Sequence, residues 1–277
     1  MKKVTIFFFL ALTAQIAFTQ PDIPVEQWTG KTIMLIGAHP DDDTYSQGTL
    51  AMLQEHGNEV FIVTLTTGNV GTQDTTLSMT DLANIRRQEE LAALKVLGIP
   101  GDHYINLGYD DGMLEYQNKK DIVANLVRQI RKIRPDVLFA FDPGKGSQRW
   151  RKADHRSASY LAADAARAAM WPLLFQGQIT NEGLKAFTIP AYMLYDCDPA
   201  AINTWVDISA YKDKKIDAMA KYVSQWSSGW YKYTGPTLSP KEEKEVKEKL
   251  ARHFTLHDGK TMEGFRYYKG LPDNIGR

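Results

Sequence analysis

The chain has 277 residues, of which 24% are charged and 43% hydrophobic, and its 33 basic side chains equal its 33 acidic ones. These values are typical of a globular protein that can bury a sizeable core, in one large domain or two small ones. The absence of a net charge gives no sign of a nucleic-acid partner or of binding to a charged membrane surface, and we expect neither.

The N-terminal segment has the pattern of a secretory signal peptide. Two lysines precede an apolar run over residues 4–17, which is short for a membrane span, and small residues stand at the two positions that a signal peptidase reads. We assign residues 1–20 to the signal peptide, with cleavage near Thr19, and residues 21–277 to a single domain. This pattern predicts a periplasmic or secreted protein without an integral membrane span after cleavage; the alternative is an uncleaved anchor.

The first predicted strand covers residues 32–36, a short apolar and β-branched run. It leads into an imidazole, a proline and three carboxylates: His39, Pro40, Asp41, Asp42 and Asp43. Proline has no N–H group and cannot continue a central strand, so the chain must turn here. Ordinary helix capping explains one or two of the carboxylates but not the histidine. Three adjacent carboxylates also repel one another, and a bound cation would relieve that repulsion.

The rest of the chain alternates between predicted strands and helices. Further strands are expected at residues 59–66, 103–107, 136–141, 191–195 and 204–208. Helices are expected at residues 44–56, 80–97, 120–133, 156–170, 210–222 and 240–250. This alternation predicts βαβ units with right-handed crossovers, and therefore an α/β fold with a mainly parallel sheet, to which the last third of the chain adds edge strands and helices. No glycine-rich fingerprint follows the first strand, which argues against dinucleotide binding.

Several polar residues lie where later strands are predicted to end. Asn69 and Asp111 belong to such loops and either contact a substrate or serve as plain turn residues. Arg87 either binds substrate or pairs with Glu90 along its own helix. The only cysteine, Cys197, permits no intrachain disulfide and has acidic neighbours that disfavour a thiolate, so we interpret it as a small packed residue.

Five short motifs together resemble one known family. Residues 38–43 are similar to the AHPDD(E/D) signature of the PIG-L, or LmbE-like, family of zinc-dependent de-N-acetylases. Weaker similarities follow in the same order along most of the predicted mature chain: the family's R-x-x-E helix at Arg87 and Glu90, its D-G turn at Asp111 and Gly112, its H-x-D-H motif at residues 152–155, and its E-x-F tail at Glu263 and Phe265. The resemblance implies a Rossmann-like three-layer sandwich with a metal site at the carboxyl ends of the strands.

The resemblance also implies roles for individual residues. The metal ligands would be His39, Asp42 and His155, a set that suits zinc and would also accept iron(II). Asp41 would be the general base, and Asp154 would orient a neighbouring residue or ligand. The chain departs from the family at Lys152, where a histidine is usual. Lys152 would either stabilise an oxyanion or donate a proton, or it is a solvated member of a basic stretch.

The function implied by the resemblance is hydrolytic. We expect a zinc-dependent hydrolase that removes the acetyl group from a small N-acetylated amino sugar or its conjugate, with Asn69, Arg87 and Asp111 as candidates for substrate binding. Two alternatives stay open: an amidase that acts on a thiol-sugar or antibiotic conjugate, and a glycan-binding protein that keeps the metal but has lost efficient catalysis. Tryptophans such as Trp226 either stack on sugar rings or pack in the core.

Overall fold

The structure is a computed structural model that describes residues 20–144 and 152–271. Almost all of the predicted signal peptide, and the basic stretch except Lys152, lie outside these ranges. Within them, no helix is both long and apolar enough to cross a membrane. The periplasmic or secreted location therefore stays a prediction from the sequence.

The described residues form eight strands in one mixed sheet. They are β1 (Thr32–Gly37), β2 (Glu59–Thr66), β3 (Tyr104–Tyr109), β4 (Val137–Phe141), β5 (Ala191–Tyr195), β6 (Thr204–Asp207), β7 (Thr255–His257) and β8 (Lys260–Lys269). The order is β3-β2-β1-β4-β5-β8-β6, with β7 paired to β8. The five strands from β3 to β5 are parallel, whereas β8 runs antiparallel to β5, β6 and β7. The predicted mainly parallel sheet is thus confirmed.

Helices flank the sheet in separate groups. They are α1 (Gln47–Glu55), α2 (Met79–Leu97), α3 (Lys119–Ile133), α4 (Ala153–Ala169), α5 (Gly177–Thr180), α6 (Lys212–Met219), α7 (Val223–Trp226) and α8 (Pro240–Ala251). One group contains α3 packed against α4, and another contains α1, α2 and α6. The alanine-rich α4 presents buried alanines along its length, which allows the close packing expected of it.

The centre of the sheet determines where the polar turn lies. Strand β1 pairs with β2 on one side and β4 on the other, and its residues from Ile33 to Ile36 are fully buried. Continuous apolar runs of this kind are typical of parallel strands that are covered on both faces. The turn after β1 therefore emerges in the middle of the carboxyl edge, and α4 begins at the same edge after β4.

Candidate active site

Two imidazoles and one carboxylate meet at the carboxyl edge of the sheet. His39, Asp42 and His155 each offer one ligand atom, and these atoms all lie within 4.8 Å of one another. The Nε2 atom of His155 lies 3.2 Å from Asp42 Oδ1, yet it is buried and has no hydrogen-bond partner among the described residues. A metal cation would satisfy this nitrogen, and the donor set suits a borderline-soft ion. The residues present therefore fit a metal ion of the kind that the family resemblance implies.

The turn after β1 is shaped around the carboxylate of Asp42. Its Oδ2 accepts backbone N–H bonds from Ala38 and His39, both at 2.7 Å. A Cβ at Gly37 would lie 2.9 Å from the Cβ of Asp42, so a glycine is needed at that position. Burial raises the pKa of Asp42, but His155 and His39 outweigh burial and hold that pKa well below its usual range.

Asp41 lies beside the ligand set and is held by an arginine. Its backbone has a φ of 118°, a left-handed value that is costly for a residue with a side chain and is found mainly at functional sites. Its Oδ1 atom lies 3.0 Å from Nη2 of Arg86, which also donates to the carbonyl of Pro40. Burial raises the pKa of the Asp41 carboxyl, and the charge of Arg86 offsets only part of that rise.

The arginine at this site is not the one that the sequence singled out. Arg87 is exposed, and its guanidinium lies 5.5 Å from the ring centroid of Tyr104 rather than at the site. Glu90, its expected partner, is buried against Tyr222 instead. One residue turns a helix by about 100°, so Arg86 faces the sheet edge while Arg87 faces solvent. The spacing along the helix could have identified Arg86, because it follows the buried Leu82 by four residues and therefore lies on the same face of the helix.

Asp111 and Asp154 both approach His39. The Nε2 atom of His39 lies 2.9 Å from Asp111 Oδ1 and 3.4 Å from Asp154 Oδ2. Asp154 is in turn fixed by the N–H groups of Gly112 and Leu114. Asn69 lies one step further out, where its Oδ1 accepts the N–H of Asp111 at 3.0 Å. The three residues form a shell that orients the His39 ring, and the same carboxylates with His39 form a second grouping that could hold a cation.

A cleft of about 560 Å³ opens above the ligand set. Lys152 is exposed and lines this cleft together with Asp41, Asp42 and His155. Cys197 also lines the cleft, but it is buried and unpaired with another cysteine, and burial raises the pKa of its thiol to about 11. Its burial agrees with the interpretation of Cys197 as a small packed residue.

Part of the cleft lining comes from the last third of the chain. It includes Trp205 on β6, Lys215 on α6, Trp226, Phe254 and Glu263 on β8, and we call these five residues the aromatic wall. The carboxylate of Glu263 accepts the N–H groups of Gly48 and Thr49 and thereby caps the first turn of α1. Apart from Trp226 and the E-x-F motif, the wall was not predicted, because β8 itself was not recognised as a strand.

A buried polar cluster lies behind the ligand turn. The hydroxyl of Tyr222 lies 2.9 Å from Asp43 Oδ1 and 3.0 Å from Glu90 Oε2, and Gln47 donates to Asp43. Burial raises the pKa of Asp43 to about 7 and raises that of Glu90 well above its usual range. A single hydroxyl hydrogen can be donated to only one of the two acids, so we infer that the other is protonated and donates to Tyr222.

Comparisons with known proteins identify relatives of this chain. Residues 34–166 match the family model PIG-L, described as GlcNAc-PI de-N-acetylase. The chain is 30% identical over 242 residues to the diacetylchitobiose deacetylase of Thermococcus kodakarensis, covering 87% of this chain and 82% of the relative. It is 28% identical over 264 residues to a 1D-myo-inositol 2-acetamido-2-deoxy-alpha-D-glucopyranoside deacetylase of Catenulispora acidiphila, covering 76% of this chain and 80% of the relative.

A solved structure shows the same fold. The N,N'-diacetylchitobiose deacetylase from Pyrococcus horikoshii superposes with a TM-score of 0.72 at 29% sequence identity, covering 88% of this chain and 86% of that chain. The similarity thus includes the last third of the chain as well as the segment that carries the ligand turn.

Proposed function

The chain belongs to the PIG-L family of hydrolases that act on amide bonds, and from this premise we propose that it is a metal-dependent deacetylase of N-acetylated amino sugars or their conjugates. The observation that carries the proposal is the position of Asp41, a partly buried carboxyl with a raised pKa, which lines the same cleft as Asp42 and His155 of the candidate metal-binding set. Relatives named as deacetylases of diacetylchitobiose and of a GlcNAc–inositol conjugate support a sugar substrate.

Zinc or iron(II) would be held by His39, Asp42 and His155. When bound, the ion would polarise the acetamide carbonyl and increase the acidity of a nearby water. Asp111 and Asp154 keep His39 in the orientation that ligation needs, and the buried turn around Asp42 fixes the carboxylate before any ligand arrives.

The chain's own residues supply the proton transfers. Asp41 accepts the proton of the attacking water, because its raised pKa makes it a better base than an ordinary aspartate. Arg86 fixes the Asp41 carboxylate and prevents its rotation away from the cleft. Asp41 then delivers the proton to the leaving amine. We assign Lys152, which lines the same cleft, to the negative charge that develops on the carbonyl oxygen.

The test combines metal content with acetate release. Purified protein should contain about one metal ion per chain and should release acetate from N-acetylglucosamine or N,N'-diacetylchitobiose. Asp41→Asn should keep its metal but lose roughly 10²–10⁴-fold in kcat, the contribution typical of a positioned general base. The matched control is Asp164→Asn, an exposed aspartate on α4, which should change neither quantity.

Two results would count against the proposal. Full activity of Asp41→Asn would exclude this residue as the base. A metal-loaded wild-type protein that releases no acetate from any N-acetylated sugar would exclude the deacetylase function and favour a glycan-binding role.

A further inference from the structure

Four consecutive apolar residues that follow α4 are exposed to solvent. They are Trp171, Pro172, Leu173 and Leu174, and we call residues 171–174 the apolar loop. Leu173 is 78% exposed, and the loop lines an open hollow together with Arg167. A single exposed leucine is ordinary, whereas a continuous exposed apolar run indicates an interaction site. We propose that the apolar loop inserts into the surface layer of a phospholipid membrane that contains anionic lipids.

A buried arginine holds the apolar loop in its conformation. The side chain of Arg131 on α3 is 2% exposed, and its Nη2 donates to the carbonyls of Trp171 and Leu174 at 2.9 Å each. Its Nη1 donates to the carbonyl of Phe175. A backbone carbonyl that enters the apolar part of a membrane without a partner is costly. Because Arg131 supplies these partners from inside the protein, the loop can present its side chains to lipid while these carbonyls stay satisfied.

The residue after the loop turns the chain back into the protein. Phe175 has a φ of 53°, a left-handed value that is uncommon for a bulky residue. Its ring is half-buried and packs against the core, whereas Leu173 and Leu174 stay exposed. The loop is therefore a fixed apolar protrusion that carries one tryptophan and two leucines. An indole beside aliphatic side chains is typical of protein surfaces at the boundary between lipid headgroups and acyl chains.

The exposed charges at the C-terminal ends of α3 and α4 are mainly basic. The basic residues are Lys132, Arg134 and Arg167, and the acidic ones are Asp164 and Glu182. Glu182 is paired with Arg128 at 2.9 Å, so positive charge remains in excess. Basic side chains beside an inserted apolar segment are attracted by anionic headgroups. The balanced charge of the whole chain predicted no such partner, because it averages over both ends of the molecule.

The apolar loop lies at the opposite edge of the sheet from the cleft. Helix α4 begins beside His155 at the carboxyl edge, and its 17 residues lead about 25 Å towards the amino edge. Gln20 donates to the carbonyl of Asn203, just before β6, which runs in the same direction as β5. Residues 1–19, with their apolar run over 4–17, therefore join the chain at the amino edge as well. A membrane at this edge leaves the cleft open to water.

A second copy of this chain suits the apolar loop less well than a membrane does. A stable dimer interface usually buries about 800 Å² on each partner, from roughly 20–30 residues. The exposed apolar surface here comes from four consecutive residues. Self-association is therefore the alternative that the experiment has to distinguish.

Vesicle binding tests the inference. The chain from residue 20 onward, which contains every element that the structure describes, would be sedimented with phosphatidylcholine vesicles that do or do not contain phosphatidylglycerol. The wild type should bind the mixed vesicles severalfold more tightly than the neutral ones. Leu173→Asp should lower binding to the mixed vesicles at least about tenfold, because the burial of a leucine side chain is lost. The matched control is Leu256→Asp, at a leucine on β7 that is 71% exposed, which should bind like the wild type.

A fluorescent label tests the orientation of the bound protein. Leu173→Cys and Tyr116→Cys would each carry a dye whose emission rises in an apolar environment; the natural Cys197 is buried. Tyr116 is 80% exposed and lies two residues after Leu114, whose N–H is bonded to Asp154 at the cleft edge of the sheet. Emission should rise on mixed vesicles for the dye at position 173 and stay unchanged for the dye at position 116.

Several results would overturn the inference. They are no binding of the wild type to mixed vesicles, equal binding of Leu173→Asp at unchanged thermal stability, or a rise in emission at position 116 without one at position 173. Equal binding to both kinds of vesicle would overturn the part assigned to the basic residues. A dimer that Leu173→Asp dissociates, in a protein that binds no vesicles, would assign the loop to a second copy. None of these measurements uses a substrate, so they stay decisive if the proposed function fails.

Discussion

Two neighbouring aspartates on one turn have opposite electrostatic surroundings. The pKa of Asp42 is held well below its usual range by two histidines, whereas burial raises the pKa of Asp43 to about 7. Asp42 faces the cleft and the metal-binding set; Asp43 faces the buried cluster with Glu90 and Tyr222, which supplies neutral donors. Two adjacent aspartates therefore have different roles. Asp42 is charged and suited to a cation, whereas Asp43 can bind a proton and packs in the buried cluster behind the ligand turn.

Exchange of each aspartate for asparagine would test this division most strongly. Asp42→Asn removes a ligand charge, and we expect metal affinity to fall by more than the roughly 10–100-fold that the loss of an outer partner costs. Asp43→Asn imitates a protonated acid. The buried Oε1 of Gln47 has no partner among the described residues, and it can accept the new N–H if the side-chain amide of Gln47 flips. Metal content after dialysis against zinc buffers should fall only in Asp42→Asn; equal losses in both would remove the distinction.

Removal of the Tyr222 hydroxyl tests the buried cluster around Asp43. Tyr222→Phe leaves Asp43 and Glu90 without their common partner, and we expect it to lower the free energy of unfolding by about 1–3 kcal/mol, the cost of an unsatisfied buried polar group. Denaturant unfolding at pH 7 measures this change. Tyr231→Phe, at an exposed tyrosine, is the control and should leave the free energy of unfolding unchanged. Equal stability of Tyr222→Phe and the wild type would show that the acids do not depend on this bridge.

A pH series gives the most specific effect. Burial raises the pKa of Glu89 to about 7 although Ser224 donates two hydrogen bonds to it. As pH rises from about 4.5 to about 7, this glutamate ionises in the unfolded chain but stays protonated in the folded one, so folding loses stability. Glu89→Gln does not titrate, so its stability relative to the wild type should rise across that window. A pKa raised by about 2.5 units corresponds to at most about 3 kcal/mol.

Unfolding at fixed metal concentration between pH 4.5 and 9 would check this rise. A difference between Glu89→Gln and the wild type that does not change with pH would show that Glu89 is ionised in the folded state.

Local sequence information was sufficient for the sheet centre and the ligand turn. The predicted strands at residues 59–66 and 191–195 agree with β2 and β5. The fold class follows from the alternation of apolar runs, and the rule that parallel strands end at one edge agrees with the meeting of His39, Asp42 and His155, whose choice as ligands came from the family resemblance. The R-x-x-E motif alone could not show that Arg86 rather than Arg87 lies beside Asp41, because both arginines satisfy its spacing and only the direction of each side chain on the helix distinguishes them.

The aromatic wall could not be predicted in the same way. Strand β8 runs antiparallel between β5 and β6, and a strand of this kind pairs with partners that are distant in sequence. Trp205 and Lys215 come from different elements, and nothing in their neighbouring residues indicates that they share a cleft. The need for a glycine at position 264 becomes clear only once its partner across the sheet, Trp205, is known.

The cap that Glu263 places on α1 has a consequence for the synthesis of the protein. The bond joins residues that are 215 positions apart in sequence. A ribosome therefore releases the ligand turn long before it releases the strand that holds the following helix. A growing chain can form β1 and β2 early, but the hydrolytic site is complete only when nearly all of the described chain has emerged, so premature termination would yield an inactive protein with an exposed sheet edge.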